Sequence, residues 1–228
     1  MSAYIALVPA AGSGSRFGAP SPKQYLQLLG KPLMWHTLSV LAAVPAITRV
    51  VVVISPEDEW FDSFDWAIPK LEVLRVGGAS RAASVRNGLA ALGAAGDDWV
   101  LVHDAARCCL TVPMVERLIA RVADDEIGGL LALPVADTVK RATSDGHVSK
   151  TVSREGLWLA QTPQMFRCAQ LLRALKDGTE AAVTDEASAI EMLGLQPRLV
   201  EGEAQNFKVT YPADLALARA ILASSKED

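Results

Sequence analysis

Short β-rich apolar runs alternate along this chain with segments whose apolar residues recur every three or four positions. Ile5–Val8, Val50–Ile54, Val73–Val76, Trp99–His103 and Leu130–Val135 read as strands. Between and after them lie helical stripes. Val85, Leu89 and Leu92 share one face that stops at Gly93. Met114, Val115, Leu118, Ile119 and Val122 follow Pro113, a residue suited to a helix's first turn. Ala187, Ile190 and Leu193 end at Gly194, and Leu215, Ala218 and Leu222 make the last stripe. The alternation predicts an α/β fold, doubly wound around a mostly parallel sheet. In such sheets ligands bind outside the carboxyl ends of the strands.

One segment departs from this rhythm. Between Thr138 and Ser153, β-branched and cationic residues flank an Asp145-Gly146 pair, which is a hairpin signal. Its strands carry little apolar surface, and an isolated hairpin is marginal in water. We expect it to project and to pack on a partner, most simply a second subunit. A surface hairpin of no consequence is the alternative.

Composition narrows the class. The 228 residues suit one domain spanning 1–228, with 137–158 as the projecting arm. Half the residues are hydrophobic and only 6% aromatic, so the core is aliphatic, as helices on a parallel sheet require. The net charge of −4 argues against general nucleic-acid affinity, so a phosphate site has to be a local basic patch. Cys108, Cys109 and Cys168 have no metal-ligand spacing, and their odd number fits a reducing compartment. The start lacks a signal-peptide pattern, and Pro45 and Arg49 interrupt the longest apolar region. The expectation is a soluble, cytoplasmic protein with no membrane contact.

The chemistry centres on Pro9–Lys23, a loop following the first strand. It holds three glycines, Arg16 and Lys23, and no acidic residue. Glycine lets backbone N–H groups approach phosphate oxygens, and the cations neutralise them. The pattern is neither a Walker loop nor G-x-G-x-x-G, since Phe17 sits at the third glycine. A solvated basic loop is the plainer reading. Asp104, after the strand Trp99–His103, is placed either to bind Mg²⁺ or to cap a turn. Gly77–Ser84 admits a flat base against its backbone, or is a Gly-Gly turn with Ser80 as N-cap. Thr184-Asp-Glu-Ala is ordinary helix-start grammar. Lys208 alternates with Phe207 and Val209 in a short strand and points to the cleft or to water. No nucleophile–base pair is evident, which suits direct phosphoryl or nucleotidyl transfer.

Taken in order, PAAGSGSRFGAPSPKQY, GGASRAASV, VLVHDAAR, ADTVKR, TVSREGLWLAQTPQMF, TDEASAIE and EGEAQNFKVT resemble the 2-C-methyl-D-erythritol 4-phosphate cytidylyltransferase family over nearly the whole chain. The resemblance implies a Rossmann-like αβα sandwich, a homodimer of interlocking β-arms, and transfer of CMP from CTP to methylerythritol phosphate with Mg²⁺. It implies that Pro9, Ala10, Ala11, Gly12, Gly14, Gly78, Ser84 and Ala105 line the nucleotide. Arg16, Lys23 and Lys208 become the catalytic cations. Asp104 would lie near the metal and the acceptor, which Thr138, Thr184 and, from the opposite subunit, Arg154 would also hold. Cys108 stands where many relatives carry proline, and Ala79 where an acidic or polar residue is common. A ribitol-5-phosphate cytidylyltransferase, uridylyl- or thymidylyltransferases and a non-catalytic nucleotide sensor are the competing functions.

Overall fold

The computed structural model describes residues 2–12, 21–177 and 183–224. In chain order, β1 (Tyr4–Pro9), the two-residue strands β2 (Gln27–Leu28) and β3 (Lys31–Pro32), α1 (Leu33–Ala43), β4 (Ile47–Val53) and β5 (Leu71–Leu74) make the first half. Then come α2 (Arg81–Ala91), β6 (Trp99–Val102), α3 (Val112–Val122) and β7 (Gly128–Pro134). The hairpin β8 (Val139–Ala142) and β9 (Val148–Val152) precedes β10 (Trp158–Arg167), α4 (Cys168–Asp177), α5 (Glu186–Glu191), β11 (Arg198–Glu201) and α6 (Pro212–Ser224).

The main sheet has the order β11-β7-β10-β6-β1-β4-β5. β1 pairs parallel with β4 and β6, β4 with β5, and β11 with β7. β10 runs antiparallel to both its neighbours, so the sheet is mostly parallel, as expected.

Successive residues of β1 point to opposite faces, and both faces are apolar. Ala6 and Val8 join Met34, Leu38 and Leu41 of α1 and Met114, Val115 and Leu118 of α3. Ile5 and Leu7 join Val85 and Leu89 of α2, Leu171 of α4 and Ile190 of α5. A strand covered on both faces reads as an unbroken aliphatic run, which is why Ile5–Val8 was legible. The sheet is therefore the middle layer of three, the αβα arrangement. α6 lies apart from both clusters and closes a smaller one with Ala106, Cys108, Cys109 and Val209.

The hairpin forms its own two-stranded sheet, with Gly146 at φ +85° in the turn and Val139 opposite Val152. Three sequence expectations need correcting. The strand expected around Lys208 is absent, because residues 207–210 run irregularly, held by the Val209 N–H to Ala106 carbonyl bond (2.9 Å). Asp185, rather than Thr184, caps α5. It accepts from the Ser188 N–H, and the Ser188 hydroxyl accepts from the Asp185 N–H. Finally, β10, central to the sheet, was not anticipated.

Candidate active site

The carboxyl ends of the neighbouring strands β1 and β6 open onto a cavity of ≈ 590 Å³. Pro9, Ala10, Ala11 and Gly12 line it from β1, and Asp104, Ala105 and Ala106 from β6. Gly78, Ala79, Ser80, Arg81 and Ser84 close another side, and Lys23, Gln24 and Lys208 enter from more distant sequence. This is where the sheet topology directs ligands.

Each wall has a local cause. After β5 the chain turns back through Gly77, whose N–H reaches the Ile54 carbonyl at 2.8 Å. A Cβ at Gly77 would run into the Ala11 side chain and, at 2.8 Å, the Ile54 carbonyl, so only glycine lets these two loops touch. Ser80 caps α2 by accepting from the Ala83 N–H (3.0 Å). The Ser84 hydroxyl accepts from the Gly78 N–H (3.0 Å) and donates to the Ser80 carbonyl (2.9 Å). The Gly-Gly turn with a capping serine is thus the actual geometry, and the same turn lines the cavity.

The turn after β6 is fixed from inside. Thr162 Oγ accepts from the Asp104 N–H (3.0 Å) and lies 2.9 Å from His103 Nδ1. The opposite ring nitrogen of His103 lies 3.2 Å from the Arg107 carbonyl, which can only accept, so Nε2 carries the proton. The Thr162 hydroxyl then donates to Nδ1. Burial without a charged partner able to outweigh it lowers the His103 pKa to about 4, so the ring is neutral.

Asp104 meets the cations. Arg81 Nε donates to Oδ1 and Lys208 Nζ to Oδ2, both at 2.8 Å, with Arg107 Nε 3.7 Å from Oδ2. Burial opposes the charge on Asp104. The Arg81, Lys208 and Arg107 charges outweigh it and hold the carboxyl well below the usual carboxylate range. Arg81 also grips Glu186 with two nitrogens (2.6 and 3.0 Å), and Glu186 is 1% exposed. Its guanidinium stays charged because Glu186 and Asp104 together outweigh burial. Among the described residues lining the cavity, Lys23, Arg81 and Lys208 face a single carboxylate, Asp104.

These contacts bear on both sequence readings of Asp104. A turn does begin at Asp104, whose carbonyl accepts from the Arg107 N–H at 3.0 Å, but the carboxylate faces the cations. Its fit to a directly held Mg²⁺ is poor, because both oxygens already face cations. No group of three or more His, Cys, Asp or Glu converges among the described residues.

Lys208 reaches Asp104 without a strand because its neighbours are tied down. Asn206 donates to the Gln161 side chain (3.1 Å) and the Thr162 carbonyl (2.8 Å), and its own carbonyl accepts from Arg107 (2.7 Å). Lys23 donates to the Val209 carbonyl at 3.0 Å, bringing the glycine-rich loop's lysine to the same segment as Lys208. Tyr25 is buried and donates to Asp58 (2.7 Å), anchoring the end of that loop.

Of the residues singled out from sequence, Pro9, Ala10, Ala11, Gly12, Lys23, Gly78, Ser84, Asp104, Ala105 and Lys208 come together here. Gly14 and Arg16 lie outside the described residues. Thr138, Arg154 and Thr184 are exposed and do not line the cavity. Sequence reasoning missed Arg81, Arg107 and Glu186 as members of one charged cluster. Their only signal was that each sits inside a motif already quoted.

The chain matches the family described as IspD: 2-C-methyl-D-erythritol 4-phosphate cytidylyltransferase over residues 4–224. A 2-C-methyl-D-erythritol 4-phosphate cytidylyltransferase of Chromobacterium violaceum is 72% identical over 223 residues, covering 98% of this chain and 99% of that protein. One from Laribacter hongkongensis is 66% identical, covering 97% of each. Among solved structures, a 4-diphosphocytidyl-2C-methyl-D-erythritol synthase is similar with a TM-score of 0.87 at 45% identity, covering 97% of this chain and 99% of that one. The Francisella tularensis cytidylyltransferase is similar with a TM-score of 0.83 at 36% identity, covering 96% and 100%.

Proposed function

The chain belongs to the 2-C-methyl-D-erythritol 4-phosphate cytidylyltransferase family, and from that premise we propose how its cavity performs the family reaction. The enzyme transfers CMP from CTP to 2-C-methyl-D-erythritol 4-phosphate, giving 4-diphosphocytidyl-2-C-methyl-D-erythritol and pyrophosphate, in isoprenoid biosynthesis. A phosphate oxygen of the acceptor attacks the α-phosphorus of CTP. The new O–P bond forms as the bond to the β-phosphate oxygen breaks, and pyrophosphate leaves with that electron pair.

Both reactants are anions, so charge is the obstacle. The observation that carries our reading is the convergence of Lys23, Lys208 and the Arg81–Asp104 pair on one cavity, beside the backbone of Ala10–Gly12. Ala10, Ala11, Gly12, Gly78 and Ser84 hold the cytidine, and Ala105 borders it. Lys23 and Arg16, with Gly14, grip the triphosphate. Lys208 and Asp104 orient the acceptor, helped by Thr184. Cations fixed before the reaction stabilise the charge that develops on pyrophosphate without reorganising. Magnesium, when bound with CTP, would offset negative charge on the triphosphate, and Asp104, whose oxygens face Arg81 and Lys208, would not hold it directly.

The acceptor half of the site is completed by a second subunit. Thr138 holds the acceptor from the same subunit, and Arg154 of the partner subunit reaches it through the hairpin. Support comes from the hairpin's exposure and from Val148, Leu157, Trp158 and Leu159, apolar residues 38–64% exposed at and beside it. A cytoplasmic location is supported by three buried, unpaired cysteines, and no described helix is long and apolar enough to cross a membrane.

The test is incubation with CTP, Mg²⁺ and methylerythritol phosphate, with ribitol 5-phosphate in parallel. We expect 4-diphosphocytidyl-2-C-methyl-D-erythritol and an equal amount of pyrophosphate. Faster turnover of ribitol 5-phosphate, or CTP binding without pyrophosphate release, contradicts the assignment.

A further inference from the structure

Gln24 lies between the lysine and the tyrosine that anchor the phosphate loop, in a single 3₁₀ turn, Lys23–Tyr25. It is 5% exposed, and both of its side-chain hydrogen bonds among the described residues go to backbone. Its carboxamide nitrogen donates to the Ala10 carbonyl at 2.7 Å and to the Gly12 carbonyl at 2.9 Å. Both acceptors are backbone oxygens, so the amide's orientation is fixed by chemistry. Its own oxygen in that place would face two others.

The two bonds constrain backbone that lines the cavity. The Ala10 N–H already belongs to the sheet, bonded to the Val53 carbonyl at 2.7 Å. Gln24 holds the next carbonyl, and in a planar trans peptide the N–H of Ala11 then points the opposite way. A second bond, two residues on, prevents this short stretch from rotating as a unit. One buried side chain therefore sets the direction of a backbone donor at the mouth of β1. Lys23, its immediate neighbour, belongs to the same 3₁₀ turn.

We propose that Gln24 is a positioning residue for the nucleotide, which locks the Ala10–Gly12 backbone with its donors turned to CTP and fixes Lys23 beside it. The proposal rests on the reading that CTP binds over Ala10–Gly12. Steady-state kinetics of Gln24→Met, which keeps length and volume but loses both donors, tests it. The KM for CTP rises by about tenfold, as for a lost buried hydrogen bond, while the KM for methylerythritol phosphate stays within about twofold. Gln24→Glu sets a carboxylate against both carbonyls and the triphosphate, and raises the CTP KM further. If Gln24→Met does not fold, Gln24→Asn, too short to span both carbonyls, carries the same expectation.

A merely structural residue would lower the unfolding midpoint and leave the CTP KM of the folded variant unchanged, and that result overturns the proposal. An equal rise in both KM values overturns it too. Lys23→Ala, measured alongside, separates the failures. With Lys23→Ala impaired and the Gln24 variants silent, only the Gln24 proposal falls. If Lys23→Ala also keeps its kcat and CTP KM, the placement of CTP falls with it.

Discussion

At the residue scale, the site is a balance of burial against charge. Lys23 was legible from sequence because a lysine closing a glycine-rich loop, with no acid nearby, calls for an anion. Its removal should act on the reaction more than on binding. Lys23→Ala is expected to lower kcat by about a hundred- to a thousandfold with a smaller change in CTP affinity, measured by saturation kinetics and calorimetry. Near-normal turnover at saturating CTP would remove Lys23 from the chemistry. Arg81, Arg107 and Glu186 were not legible. A salt bridge between residues 81 and 186 depends on where the fold places α2 and α5, and no local pattern encodes that.

His103 gives the residue scale a pH signature. Its folded pKa of about 4 lies below the unfolded value near 6.5, so the unfolded chain binds the extra proton in that window. Its contribution to stability is complete above about pH 6.5 and is lost as pH falls toward 4. Between pH 7.5 and 5 the loss attributable to His103 is about 2 kcal/mol. Urea unfolding at the two pH values checks this. His103→Gln, which keeps an acceptor and a donor but does not titrate, should lose that much less than the wild type. Equal losses in both proteins would contradict the assignment.

At the element scale, the aliphatic strands β1, β4 and β6 announced themselves, and β10, which carries the polar residues behind the site, did not. β10 carries Gln161, Thr162, Pro163 and Gln164 in mid-strand, a sequence that argues against a central strand. Its register shifts between Ala160 and Gln164, which turns these polar residues to other work. Thr162 fixes the turn of Asp104, and Gln164 holds the start of α5 through the Ala187 N–H (2.7 Å) and Asp185 (2.8 Å). The segment around Lys208 erred the other way. Phe207 and Val209 alternate like strand residues, but the Asn206 and Arg107 contacts hold it in irregular form. The loop between β5 and α2 offers a direct test. Gly77→Ala forces that loop off Ala11, and we expect a lower unfolding midpoint and a raised CTP KM. A variant unchanged in both would mean the two loops do not rely on their contact.

At the scale of the whole molecule, one chain's sheet builds the cavity, and in our proposal the acceptor half draws on the hairpin of a second subunit. The hairpin was legible from Asp145-Gly146, and its consequence can be tested by complementation. Arg154→Ala is expected to raise the KM for methylerythritol phosphate and leave CTP affinity nearly unchanged. Mixed and re-equilibrated with Lys23→Ala, it should recover roughly a quarter of wild-type activity, because half the dimers are mixed and each holds one intact site. No recovery would place Arg154 in its own subunit's site, and an Arg154→Ala variant with an unchanged KM would place it outside any site.

The claim on which these expectations depend is that CTP lies at the carboxyl ends of β1 and β6 with its phosphates against Lys23. A crystal structure with CTP and magnesium measures this directly. The account predicts cytosine and ribose over Ala10–Gly12, Gly78 and Ser84, and a triphosphate oxygen within hydrogen-bond reach of Lys23 Nζ. A nucleotide bound away from this cavity, or one whose phosphates point away from Lys23, contradicts it.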